Sequence, residues 1–235
     1  MREPLTLGHE SAGVVVDVGS GVSTLKKGDR VALEVGQPCE VCDLCRSGRY
    51  NICRDMKFRS SAKAVPHAQG TLQDVIAHPA KWCHRLPDPV SLELGALAEP
   101  LAVAIHASDR AKLPAASAVL VLGAGAVGLL CAAVAKAVAG SKVVIADIQA
   151  ERVKFAVDHG FADAGVVVPL SHPRPTTIEE KLDAAKKLAD LLKNTRIGDG
   201  HVGEVAATFE CTGVESCLQA AIYVSLSSFH LQHKE

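Results

Sequence analysis

The spacing of apolar and polar residues changes near residue 115, which divides the chain into two parts. In the first part, short apolar runs alternate with glycine and proline, a pattern that predicts short strands. These strands cover residues 14–18, 30–34 and 75–77. Leucine and isoleucine then recur at helical spacing over 91–107, where Ser91 occupies the capping position and Pro100 should kink or divide the helix. The first part therefore predicts a mainly β domain over residues 1–115.

After residue 115 the pattern alternates between short apolar runs and segments with helical periodicity. The apolar runs predict buried strands over 119–122, 142–146, 166–168 and 205–209. The periodic segments predict helices over 126–139, 150–159, 177–193 and 214–224. Alternation of strand and helix is typical of a doubly wound parallel sheet. We therefore predict an α/β protein whose second domain covers residues 116–235.

The composition narrows the setting in which the chain works. Hydrophobic residues make up 48% of the chain and aromatic residues only 3%, so its cores must be built from valine, alanine and leucine, which suits parallel strands and alanine-rich helices. A net charge of −1 argues against nucleic-acid partners and a basic membrane patch. The N-terminal residues form no apolar signal core, and the longest apolar stretch is too short to span a membrane. We expect a soluble cytoplasmic protein with reduced thiols.

Half of the eight cysteines lie in one short window with the spacing Cys-x2-Cys-x2-Cys-x7-Cys. They are Cys39, Cys42, Cys45 and Cys53. Four thiolates that can turn toward one point form the preferred tetrahedral shell of a structural zinc ion. Near-adjacent spacing disfavours disulfides, and the long last gap disfavours an iron–sulfur cluster. We predict a structural zinc lobe over residues 36–55, closed by four thiolates and therefore without chemistry of its own.

Residues 123–128 read GAGAVG and match GxGxxG between a predicted strand and a predicted helix. The motif positions expected to contact a dinucleotide are Gly123, Gly125, Val127 and Gly128. Gly123 permits the tight turn, Gly125 leaves room for a pyrophosphate, and Gly128 lets the helix pack closely on the strand.

Asp147 follows the next strand, 19 residues after Gly128. At this place an acidic side chain accepts hydrogen bonds from the adenosine ribose hydroxyls and repels a 2′-phosphate, which favours NAD over NADP. The alternative is an aspartate that only caps a helix. Arg152, five residues further on, is expected to flank the adenine.

Near the N-terminus, Gly8, His9 and Glu10 begin a run that matches GHExxGxxxxxG. Taken with the cysteine lobe and the dinucleotide motif, this order resembles the signature of the zinc-containing medium-chain dehydrogenases. The resemblance implies a GroES-like catalytic domain followed by a Rossmann domain. It also implies a catalytic zinc ion bound by His9, with Glu10 as a ligand or a neighbouring carboxylate.

Glu99 precedes Pro100 and Leu101, and this version of the segment resembles the polyol branch of that family, the sorbitol, xylitol and arabinitol dehydrogenases. Further matches are residues 48–51, 86–88, 95–97 and 209–213. In that branch the glutamate lies at the zinc, directly or through its water, whereas the alternative is a helix-surface acid. The resemblance implies NAD-dependent oxidation of a secondary hydroxyl of a sugar alcohol to a ketose, with His9, Glu10 and Glu99 as catalytic residues.

The sequence departs from the family pattern at both ends. Family members carry an upstream Cys-Gly-x-Asp-x-His segment, whose cysteine is a zinc ligand, and a Gly-Gly turn with a fifth strand after the region of Gly213. This chain begins seven residues before Gly8, and residues 225–235 show no strand pattern. We therefore expect a chain truncated at both ends, with an incomplete catalytic zinc shell, an incomplete Rossmann fold of four strands and impaired turnover.

Three other functions stay open at this point. Butanediol and threonine dehydrogenases share much of the pattern, and a non-catalytic remnant could bind zinc and nucleotide only. A zinc-finger-like nucleic-acid module is disfavoured because the chain has no basic face. The family resemblance implies a homo-oligomer if the protein is intact, with a small-molecule polyol as its substrate.

Overall fold

The computed structural model describes residues 3–63, 65–170 and 175–225. The chain packs as two compact units, Met1–Pro100 and Leu101–Glu235. The structure places the boundary after Pro100, one helix before the boundary that the sequence predicts after residue 115. That helix, Ala98–Ala111, has Ala104 fully buried in the core of the second unit, so most of its length packs there.

The first unit contains short strands and short helices in its described residues. In chain order these are β1 (Ala12–Val14), β2 (Arg30–Leu33), β3 (Gly36–Gln37), α1 (Asp43–Arg46), β4 (Lys57–Phe58), β5 (Cys83–Arg85) and α2 (Leu92–Ala96). Strands β1, β2 and β5 form an antiparallel sheet in that order, and β3 pairs with β4. Single 3-10 turns lie at Tyr50–Ile52 and Ala80–Trp82.

Two predicted strands of this unit differ from the structure. Strand β1 ends at Val14, and residues 75–77 form no strand. Within residues 75–77, the carbonyl oxygen of Ala77 accepts a hydrogen bond from the Arg59 guanidinium and not from a neighbouring strand. A third difference is the helix over 91–107, which is divided at Leu97.

The division of that helix follows from its capping residues. Ser91 caps α2, since its Oγ accepts from the backbone N–H of Leu94 at 3.2 Å. The next helix begins at Ala98, which puts Pro100 in its first turn, where a missing backbone N–H costs no helical hydrogen bond. Ser91 is therefore the helix cap that the sequence predicts, but the helix is interrupted at Leu97 and not at Pro100.

The second unit alternates strands and helices. Helix α3 (Ala98–Ala111) begins in the last three residues of the first unit and continues into the second. The other elements of the second unit are β6 (Ala118–Leu122), α4 (Ala126–Ala139), β7 (Lys142–Asp147), α5 (Ala150–Asp158), β8 (Ala164–Val167), α6 (Ile178–Lys193), β9 (Arg196–Ile197), β10 (Gly200–His201), β11 (Ala207–Glu210) and α7 (Glu215–Val224). Strands β11, β6, β7 and β8 form a parallel sheet in that order, which confirms the predicted four-stranded α/β fold. The antiparallel pair β9 and β10 was not predicted.

Alternate residues of the central strands build two cores on opposite faces of this sheet. Val119, Val121, Val143 and Ile145 pack with α3, α4 and α5. Leu120, Leu122, Val144 and Ala146 pack with α6 and α7. All eight side chains are nearly inaccessible to solvent, so the strands are apolar on both faces, as parallel strands covered by helices require.

After α7 the backbone returns toward the sheet. The N–H of Val205 donates to the carbonyl of Val224 at 3.1 Å, and Val205 forms a parallel bridge with Ser225. From residue 226 onward, the tail predicted to lack a strand lies outside the described residues. Among the residues that the structure describes, no helix is long and apolar enough to cross a membrane.

Candidate metal and dinucleotide sites

The four cysteines of the predicted lobe converge in the first unit. Helix α1 begins directly after Cys42 and carries Cys45, and the 3-10 turn Tyr50–Ile52 leads into Cys53. The four sulfur atoms all lie within 4.8 Å of one another, and the Sγ atoms of Cys42 and Cys53 are 4.0 Å apart. A tetrahedral zinc ion with bonds of about 2.3 Å needs sulfur separations of about 3.8 Å. The group Cys39, Cys42, Cys45 and Cys53 therefore fits a zinc ion after a small contraction.

Electrostatics in the lobe also favour a cation. A hydrogen bond from the backbone of Cys45 lowers the pKa of the Cys42 thiol to about 6. Desolvation, followed by the hydrogen bond with Cys42, raises the pKa of Cys45 to about 12. The thiols thus compete for one negative charge, and a divalent cation would stabilise all four thiolates together. All eight cysteines are among the described residues and none forms a disulfide.

The backbone before His9 is held by a neighbouring segment. Gly70 N donates to the carbonyl of Thr6 at 2.8 Å, and Thr71 N donates to the carbonyl of Gly8 at 2.9 Å. Gly8 has φ +101°, and a Cβ there would lie 2.9 Å from the backbone nitrogen of Leu72. Glycine is therefore needed at this turn, and the turn sets the direction in which His9 leaves the backbone.

His9, Glu10 and Glu99 come together although 89 residues separate Glu10 from Glu99. Their ligand atoms lie within 4.8 Å of one another. Glu99 lies in the first turn of α3, and the ring of His9 packs at 5.6 Å from that of Phe58. One nitrogen and two carboxylate oxygens resemble the three protein ligands of catalytic zinc sites, which keep one position open. The three side chains therefore fit a zinc ion of the catalytic type.

Burial and neighbouring charges shift the pKa of Glu99 in opposite directions. Partial burial raises the pKa of Glu99 above its usual value, His9 lowers it, and the like charge of Glu10 raises it further. A cation among the three groups would reverse the net effect, because it stabilises both carboxylates in their ionised form.

The loop between β6 and α4 holds three glycines in different surroundings. Gly123 has φ +100°, in the left-handed region. A Cβ on Gly128 would overlap the carbonyl oxygen of Gly123, whereas a Cβ on Gly125 would have no atom within 4 Å. Gly125 is also the N-cap of α4, so open space lies where the N-terminus of a helix favours an anion. Val127 is 39% exposed in the first turn of α4.

Asp147 ends β7 and holds this loop. Its Oδ2 accepts from the backbone N–H of Ala124 at 2.8 Å, and its Oδ1 accepts from the N–H of Gln149 at 2.9 Å. The helix that follows has Gln149 as its N-cap without a side-chain hydrogen bond, so Asp147 joins two loops and does not act as its N-cap residue. Each carboxylate oxygen can accept a second hydrogen bond. Arg152 is exposed in the first turn of α5.

A third segment reaches the same place and was not predicted to do so. The sequence identifies residues 209–213 only through their match to the family pattern. A Cβ on Gly123 would lie 3.1 Å from the carbonyl oxygen of Cys211 and from Cγ2 of Thr212. Because parallel strands end at one edge of a sheet, the adjacency of the segments after β6 and β11 could have been expected once the strand order was known.

Comparison with known proteins agrees with this arrangement. Residues 1–88 match the model of the alcohol dehydrogenase GroES-like domain. The chain is 40% identical over 224 residues to a protein of Aspergillus terreus named "Probable D-xylulose reductase A", covering 95% of this chain and 58% of that protein. It is 43% identical over 186 residues to sorbitol dehydrogenase of Bombyx mori, covering 79% of this chain and 51% of that protein.

The solved structures extend the likeness to the fold. The crystal structure of L-idonate 5-dehydrogenase from Escherichia coli K-12 superposes with a TM-score of 0.73 at 27% identity, covering 94% of this chain and 57% of that one. This chain therefore spans between half and three-fifths of the length of these relatives. The GroES-like first domain and the Rossmann-like second domain predicted from the sequence are both confirmed. The chain is therefore similar over most of its length to the zinc-containing medium-chain dehydrogenases, and its relatives from Aspergillus terreus and Bombyx mori are named for polyols or for the keto sugars related to them.

Proposed function

We propose that this protein is an NAD- and zinc-dependent dehydrogenase that oxidises a secondary hydroxyl of a sugar alcohol to the ketone of a ketose. The observation that carries the proposal is the meeting of His9, Glu10 and Glu99 within 4.8 Å, in a chain that also has a dinucleotide loop. The names of its relatives, a xylulose reductase and a sorbitol dehydrogenase, support a polyol as the substrate.

The residues divide the work between two sites. His9, Glu10 and Glu99 would hold the catalytic zinc, and Cys39, Cys42, Cys45 and Cys53 would hold the structural one. A zinc ion held by His9, Glu10 and Glu99 would polarise the substrate hydroxyl, whose proton would pass to solvent, and NAD would supply the acceptor of the hydride. The loop over 123–128 would receive the pyrophosphate at the N-terminus of α4, and Asp147 would accept hydrogen bonds from the ribose hydroxyls while it holds the loop through Ala124.

The setting and assembly are part of the same proposal. Four thiols that bind zinc must stay reduced, which supports a cytoplasmic location. The family resemblance supports a homo-oligomer. The second candidate function is a butanediol- or threonine-dehydrogenase-like enzyme, which would use the same ligand set with a different substrate, and the third is a protein that binds zinc and nucleotide without turnover.

The reaction is tested by following NADH formation with a panel of alcohols. We expect zinc-dependent reduction of NAD with xylitol or sorbitol, at the low rate that an incomplete zinc shell implies. Activity with 2,3-butanediol and threonine should be at least about tenfold lower still, because a polyol site that hydrogen-bonds several hydroxyls rejects substrates that lack them. A preference for butanediol or threonine would favour the second candidate. Protein that holds two zinc ions per chain and reduces no NAD with any of these would contradict the proposal.

The structural zinc is tested by Cys53→Ser with Cys217→Ser as its control, since Cys217 lies on α7 in the second unit. We expect Cys53→Ser to lose one zinc ion per chain by elemental analysis. Its unfolding midpoint should fall by about 10 °C or more, because binding of a structural zinc contributes directly to folding free energy. Cys217→Ser should keep its zinc. Equal zinc contents in the two variants would exclude the cysteine lobe as the site.

The glycine loop is tested with a pair of alanine variants. In Gly128→Ala the new Cβ overlaps the carbonyl of Gly123, so both stability and NADH binding should fall, the former by about 2 kcal/mol. In Gly125→Ala the Cβ has free space, so stability should change by less than about 1 kcal/mol, while NADH binding is lost. Denaturant unfolding and NADH fluorescence titration measure both. Tight NADH binding by Gly125→Ala would place the pyrophosphate elsewhere.

The cofactor preference is tested by Asp147→Asn. The wild-type protein should bind NADH more tightly than NADPH. The amide oxygen can still accept from the N–H of Ala124. Loss of the charge should reduce the preference for NADH about tenfold, because it weakens the hydrogen bond to the ribose and removes the repulsion of the 2′-phosphate of NADPH. Glu151→Gln, an exposed acid on α5, should leave the preference unchanged. A wild-type protein that binds NADPH more tightly would overturn the choice of NAD.

A further inference from the structure

Glu210, the last residue of β11, locks the turn that follows it. Its Oε1 accepts from the backbone N–H of Thr212 at 2.8 Å and from the Thr212 hydroxyl. Its Oε2 accepts from the N–H of Gly213 at 3.0 Å. The Thr212 Oγ1 in turn accepts from the N–H of Val214 at 3.0 Å. One carboxylate thus satisfies two backbone donors and a hydroxyl in a turn exposed to solvent.

This turn is packed against the dinucleotide loop. Cys211 N donates to the carbonyl of Leu122 at 2.8 Å, which continues the pairing of β11 with β6 up to the residue before Gly123. The carbonyl oxygen of Cys211 and the methyl group of Thr212 would each lie 3.1 Å from a Cβ at Gly123, so the turn packs tightly against this residue. On the β7 side of β6, Asp147 holds the dinucleotide loop through the N–H of Ala124. On the β11 side, the turn after β11 packs against the same loop.

We infer that Glu210 is a positioning residue for the dinucleotide loop: by fixing the turn over 211–213, it holds Gly123 in the conformation that receives the pyrophosphate. The inference rests on the proposed function, because it names a support for the loop that would bind NAD. Both carboxylate oxygens of Glu210 accept hydrogen bonds from the turn, so we infer that its effect on binding is indirect.

The charge of Glu210 makes electrostatic repulsion and loop positioning predict opposite changes in NADH affinity. A carboxylate near the phosphates of a dinucleotide repels them, so its neutralisation should strengthen binding if electrostatics alone mattered. If Glu210 positions the loop, neutralisation should weaken binding instead. In Glu210→Gln the amide oxygen can still accept from Thr212, but the amide nitrogen cannot accept from the N–H of Gly213.

The experiment compares Glu210→Gln and Glu210→Ala with Glu215→Gln in the complete protein. Glu215 is a matched control because it is an exposed acid in the first turn of α7 that bonds Lys181 and Gln219. Two quantities are measured below the unfolding midpoints of all variants: amide hydrogen exchange of 122–126 and 211–214 without ligand, and the dissociation constant of NADH.

We expect amides of 211–214 to exchange at least about tenfold faster in Glu210→Ala, since the hydrogen bonds from Thr212 and Gly213 to the carboxylate are lost. Amides of 122–126 should also exchange faster, because the turn that packs against Gly123 is no longer fixed. NADH should bind about three- to tenfold more weakly, with Glu210→Ala more affected than Glu210→Gln and Glu215→Gln unchanged. Unchanged exchange at 122–126, or tighter NADH binding by Glu210→Gln, would overturn the inference. If the wild-type protein bound no NADH, the proposed function would fail, while the exchange data would still decide whether Glu210 positions the loop.

Discussion

The parallel pairing of β6 between β7 and β11 is the constraint on which the dinucleotide site depends. It places three strand ends at one edge of the sheet. From there, Gly123 N donates to the carbonyl of Ala146 at 2.7 Å, and Cys211 N donates to that of Leu122. The loop after β6 is thus bonded on both sides. Gly123 is favoured there by its φ of +100°, and Gly128 is needed because a Cβ would overlap the carbonyl oxygen of Gly123.

The two units reach stability by different physical means. The sheet of the second unit is covered on both faces by apolar side chains of its helices. In the described residues of the first unit, the buried apolar residues are Leu25, Val31, Ala32, Val35, Cys53 and Trp82. So small a core contributes little hydrophobic free energy, and the four thiols of the cysteine lobe would supply an alternative source of stability by binding a metal ion. In the proposed enzyme, folding of this unit and zinc binding would therefore be linked.

The long elements of the second unit were predictable because they are periodic and clearly bounded. Helix α4 begins and ends at the predicted residues, with Gly140 in the left-handed conformation after it. Helix α6 begins after Thr177, whose side chain forms a capping box with Glu180. The two-residue strands β3, β4, β9 and β10 were missed, since two residues carry no alternation. The sequence predicts the helix break at Pro100, whereas the structure has it at Leu97. Local sequence does not distinguish a proline in the first turn of a helix from a proline that interrupts one.

The sequence by itself determined the features that depend on spacing along the chain. Four cysteines with two- and seven-residue gaps can reach one point through local turns, and GxGxxG between a strand and a helix can form only a narrow range of loops. Tertiary structure alone decided what depends on distant segments. It brings Glu99 to His9 and Glu10, it gives Asp147 a second partner in Ala124, and it packs the turn after Glu210 against Gly123. The physical reason is that local sequence governs backbone conformation, whereas contacts between distant residues follow from strand order and from the packing of helices onto the sheet.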